Sequence, residues 1–145
     1  MKKLTRILVA AMASCIALSS TAISASAATK SQTLTYNYYD SIITSWRVGQ
    51  IKATYTYSYN TSTQKLINQK SIKHSTSNVF GTSFTGISKS WDWYNTTQKN
   101  GTGRGTCEWS YGIGVNTTWV NIGWFEDEWM SLTCKGNGTW TSQFS

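Results

Sequence analysis

The chain has 145 residues, with thirteen lysines and arginines against six acids and a formal charge of +7. Its basic residues stand singly, and nucleic-acid binding needs a clustered basic run that neutralises successive phosphates, so that class is excluded. A single histidine, His74, sits in an undistinguished "KHSTS" context; Ser-His-Asp and Cys-His machinery would both depend on it, so the chain reads as no enzyme.

The first element is a leader. Lys2, Lys3 and Arg6 precede a mostly apolar run from Ile7 to Leu18, and small residues lead to Ala25-Ser26-Ala27. That is the layout of a secretory signal peptide with an A-x-A site, so residues 1–27 are expected to be removed and the protein to be extracellular. Ser19, Ser20 and Thr21 end the apolar run too early for a retained membrane span, which needs about 18 apolar residues. A lipidation box at Met12-Ala13-Ser14-Cys15 is the competing reading, with a shorter apolar lead. Residues 28–145 then form one domain of 118 residues carrying ten basic residues and six acids, enough chain for a real core.

The elements of that domain read as strands. Leu34, Tyr36 and Tyr38 alternate with polar neighbours, and Ile51, Ala53, Tyr55, Tyr57 and Tyr59 alternate more cleanly still. A period of two places each set on one face of a strand. "NTSTQK" is a turn, with a return strand near Leu66 to His74, shorter strands at Val79–Phe84 and Ile87–Tyr94, and a loop from Asn95 to Gly103. Cys107, Trp109, Tyr111, Ile113 and Val115 share one phase, and Met130, Leu132 and Cys134 another. Between them "WVNIGWF" reads as a strand and "EDE" at Glu126–Glu128 as its turn. Short strands at this spacing, with no helical period anywhere, predict an all-β, single-domain antiparallel β-sandwich or barrel-like sandwich.

Cys15 leaves with the leader, so Cys107 and Cys134 are the only remaining pair. In an exported protein the simplest expectation is one disulfide between them, worth roughly 3–4 kcal/mol for a loop of this length in the chain-entropy model. One histidine and two isolated cysteines supply no zinc set, and Glu126–Glu128 lack the spaced oxygens of a calcium loop. No metal or other cofactor is expected. The N-x-S/T triplets, such as Asn60-Thr61-Ser62, read as turns in a chain this rich in Asn and Thr.

All eight Trp, eight Tyr and four Phe fall in residues 28–145. A domain of this size buries about ten aromatics, each covering roughly 150–250 Å², so the rest are expected to face solvent. Tyr55, Tyr57 and Tyr59, together with Trp91 and Trp93, are candidates for a contact surface; the competing reading is that they line the core. Asp92 lies between two tryptophans and Glu108 beside Trp109, an arrangement that a solvated strand face also produces.

One local resemblance adds to this. "GTCEWSYGIG", Gly105–Gly114, resembles the G-x-W-x-Y-G-x-G opening of lactococcin-972-like bacteriocins. That family consists of small exported β-sandwich proteins that engage the cell-wall precursor lipid II, and it carries the motif near the mature N-terminus without this cysteine pair. The resemblance implies Trp109, Tyr111 and Gly112 as contacts. Three roles follow as expectations: a module binding a cell-envelope or glycan component or another extracellular protein, a bacteriocin-like effector, or a self-associating surface protein.

Overall fold

The computed structural model describes residues 27–40, 45–116 and 121–145. The leader lies outside the described residues, apart from Ala27, and so do residues 117–120, which include the start of the expected "WVNIGWF" strand; its remainder belongs to the sixth strand and is not a separate one. Seven strands follow one another: β1 (Ala27–Tyr39), β2 (Arg47–Asn60), β3 (Lys65–Asn78), β4 (Thr82–Tyr94), β5 (Thr102–Asn116), β6 (Asn121–Lys135) and β7 (Trp140–Phe144). They form two antiparallel meanders, a first sheet ordered β1-β2-β3 and a second ordered β4-β5-β6-β7. The all-β, two-sheet architecture expected from the alternation is what the chain adopts. Among the described residues no helix is long and apolar enough to cross a membrane.

Alternation decides which face each strand buries. Leu34, Tyr36 and Tyr38 of β1 and Ile51, Ala53, Tyr55 and Tyr57 of β2 meet Cys107, Trp109, Tyr111, Met130, Leu132 and Cys134 of the second sheet in one core. Two phenols and an indole of that core find acceptors across it. Tyr55 donates to the Met130 carbonyl at 2.7 Å, Tyr57 to that of Gly138 at 3.1 Å, and Trp109 Nε1 to Tyr38 Oη at 2.8 Å. A buried hydroxyl left unpaired costs about 1–3 kcal/mol, so these bonds also pin the two sheets in one relative position.

The outer face of the first sheet is built differently. Cross-strand hydroxyl pairs bond at 2.8–2.9 Å between Thr29 and Ser58, Ser31 and Thr56, and Thr33 and Thr54. Six basic residues, Lys30, Arg47, Lys52, Lys65, Lys70 and Lys73, lie on β1–β3; Lys52, Lys65 and Lys73 stand on this outer face, whereas Lys30 and Lys70 both pair with the buried Tyr57 on the other. Five of the six acids lie on the second sheet, the exception being Asp40.

Two expectations are overturned. Cys107 and Cys134 are free thiols, not a disulfide. Both do face the core, but Cys107 pairs with Met130 and Cys134 with Gly103, four rungs apart in the β5–β6 ladder. At the strand rise of ~3.4 Å per residue their Cα atoms are roughly 13–14 Å apart, beyond the ~7 Å that a bridge spans. Shared phase puts two residues on one face; only register brings them together. Each thiol acts as a small apolar side chain, with 0% exposure. The melting temperature is therefore expected to be the same with and without a reducing agent, and calorimetry in the two buffers checks it.

The second correction concerns Glu126–Glu128. They form no turn; they lie inside the fifteen-residue β6, opposite Tyr111, Ser110 and Trp109.

Candidate functional site

Of the aromatics expected at a contact surface, most are core. Tyr55 and Tyr57 are fully buried, Trp109 and Tyr111 nearly so, and Tyr59 is partly buried against the same cluster. Gly112 is also shut in: a Cβ built on it would lie 1.8 Å from the Trp124 carbonyl oxygen. Its bareness serves the close approach of β6, not a ligand. Tyr111 stacks on Tyr38 with ring centroids 3.7 Å apart. The structure therefore offers no open surface at Trp109, Tyr111 and Gly112.

Trp91 and Trp93 part company. Their shared odd numbering predicts one face, but the β4–β5 register shifts between them, so that Trp91 pairs with Gly105 and Trp93 with Arg104. That irregularity inserts Asp92 as an extra residue and turns the following side chain to the other side. Trp91 packs edge-on against Tyr94 at 5.2 Å on the core side. Trp93 is 46% exposed.

Trp93 opens onto an arrangement on the outer face of the second sheet. Arg104, its partner on β5, lies with its guanidinium carbon 5.5 Å from the Trp93 ring and 5.6 Å from the ring of Trp129 on β6. A cation held over two indoles is attracted to both rings by their quadrupoles. The Arg104 side chain thus runs along the face from its own rung toward that of Glu108 and Trp129. This accounts for the burial of Thr106 and Ser131, the rung between, to 5% and 1% exposure. Asp92 faces Arg104 Nε at 3.6 Å and is itself oriented by two donors, Thr106 Oγ1 at 2.8 Å and Ser90 Oγ at 3.1 Å. Beside this row a shallow depression is lined by Gly86, Glu108, Ser110, Asp127 and Trp129. Ser88 donates to Glu108 at 3.3 Å and Ser110 to Asp127 at 2.5 Å.

Sequence reasoning reached Trp93, Asp92 and Glu108 but missed Arg104 and Trp129. The available signal was phase: Arg104, Thr106 and Glu108 alternate with the buried residues of β5, and Trp129 is out of phase with Met130. Reading Glu126–Glu128 as a turn removed the frame in which Trp129 would have been placed on that face.

Chemically, the site is two flat indoles, one guanidinium and several oriented carboxylates on three hydrogen-bonded strands. Among the described residues no group of three or more His, Cys, Asp or Glu comes together to hold a metal ion. The site is suited to holding a ligand that presents apolar ring faces together with hydroxyl groups. Compared with protein family models, curated proteins and solved structures, the chain matches none.

Proposed function

We propose that the protein is exported and acts by binding, without catalysis, and that the Trp93–Arg104–Trp129 face grips sugar units of a glycan in the cell envelope or outside the cell. The observation that carries this reading is the pair of indoles held on either side of Arg104 with Asp92 and Glu108 between and beside them. The C–H faces of a sugar ring pack on a flat indole, and a ring side chain with two rotatable bonds loses little entropy when it is covered. The hydroxyl edges of the sugar find acceptors in the carboxylates and donors in the guanidinium. Charge narrows the class further. One cation among Asp92, Glu108 and Asp127 disfavours a polyanionic chain, so the ligand is a neutral glycan segment.

The test is retention of the purified protein on insoluble polysaccharides and on isolated cell walls. Trp93→Ala and Trp129→Ala are each expected to weaken retention about tenfold, the effect of losing an interfacial tryptophan worth about 1.4 kcal/mol. Both variants should melt within a few degrees of the parent, since Trp93 is exposed and Trp129 partly so. Unchanged retention in the double variant, or no retention of the parent on any neutral glycan, would overturn the reading.

A further inference from the structure

Every sheet in an open sandwich has two edges, and exposed edges invite pairing with another chain unless something blunts them. Three of the four edge strands here are blunted. β3 carries Lys65, Lys70 and Lys73 and a register irregularity against β2. β4 is broken by two irregularities against β5. β7 is five residues long, and the part of β6 that extends past it carries Glu126, Asp127 and Glu128 in succession.

β1 is the least protected, with one lysine and one register irregularity that falls only at its last residue. It runs thirteen residues, contains no proline, and keeps regular register with β2 from Ala27 to Tyr38. Its single charged residue is Lys30, whose amine is already engaged by the Gly138 carbonyl at 2.8 Å. Among the described residues the sheet order places no strand on its far side.

We propose that this edge pairs with β1 of a second copy of the chain, joining two three-stranded sheets into one of six strands. An antiparallel pair of identical strands is self-complementary, as a two-fold interface requires. Full overlap of Ala27–Tyr39 puts the axis at Thr33, the midpoint. Thr33 then faces Thr33, Ser31 faces Thr35 and Thr29 faces Asn37, repeating the neutral hydroxyl chemistry that already joins β1 to β2. On the other face Lys30 meets Tyr36, so no like charges oppose each other. A foreign strand would match this edge only by chance, whereas the second copy matches it by symmetry. Because the axis stands perpendicular to the sheet, both second sheets lie on the same side and their outer faces point the same way. The dimer itself is independent of what those faces bind.

The experiment is light scattering behind size exclusion over a concentration series, with amide hydrogen exchange on β1. The parent is expected to show a concentration-dependent monomer–dimer equilibrium, and its β1 amides to exchange more slowly as concentration rises. Thr33→Lys and Thr33→Glu each put like charges on the axis and should weaken association about tenfold, while mixing the two variants should restore a heterodimer. A parent that stays monomeric into the millimolar range with concentration-independent β1 exchange overturns the proposal. So does a Lys variant that dimerises as well as the parent, or a mixture that forms no heterodimer.

Discussion

Trp109→Ala is expected to lower the unfolding free energy by about 3–5 kcal/mol, the usual cost of deleting a large buried aromatic. The indole is 2% exposed, lies edge-on to Tyr36 with centroids 5.3 Å apart, and gives its N–H to Tyr38. Truncation removes the packing volume at the centre of both sheets and also the donor that fixes a buried phenol. A domain of this size holds only about 5–15 kcal/mol in all, so the melting temperature should fall by roughly 15–20 °C, as measured by calorimetry or denaturant titration. Trp124→Ala is the matched control. That indole is 68% exposed and reaches Glu126 at 3.1 Å over open surface, so its loss should cost no more than about 0.5 kcal/mol. Equal effects of the two substitutions would mean that the core does not lie where Trp109 places it.

That contrast between two tryptophans marks how far the sequence could be read. In β1 and β2 the alternation of Leu34, Tyr36 and Tyr38 and of Ile51 to Tyr57 is unbroken, and period alone assigns their buried faces correctly. It fails where the ladder departs from regularity. At Trp91 and Trp93 one inserted residue reverses the face, and nothing in a two-residue period signals an insertion. At Cys107 and Cys134 the period is right but the register is displaced by four rungs; register depends on how the strands are joined, which period does not report. At Glu126–Glu128 three acids look like a turn, yet they fit a strand that runs beyond β7, where solvent receives their charges. The candidate site inherits all of this. Its exposed indole comes from the insertion in β4, and its second indole lies on the strand that the acids seemed to interrupt.

The free thiols give the protein an alkaline limit that a disulfide would not. Burial pushes the Cys107 thiol up to about 11 and the Cys134 thiol up to about 12, from an ordinary value of 9.0. Burial likewise raises the phenols of Tyr55, Tyr57, Tyr94 and Tyr111 above 10.0. The folded chain therefore keeps protons that the unfolded chain releases, and each unit of pH above the unfolded value favours unfolding. The stability held by the two thiols is whole below pH 9 and is lost as pH rises toward 11 and 12. Two protons at stake give a slope of about 2.7 kcal/mol per pH unit in that window, and the tyrosines steepen it above pH 10. Denaturant titrations at pH 7, 8.5, 10 and 10.5 should give equal stabilities at the first two and a sharp fall at the last. Replacing both cysteines by alanine should flatten the fall between about pH 9 and 9.5, where most phenols still hold their protons in both states. A cysteine-free variant that loses stability over that interval as steeply as the parent would mean that the sulfurs do not titrate in that window.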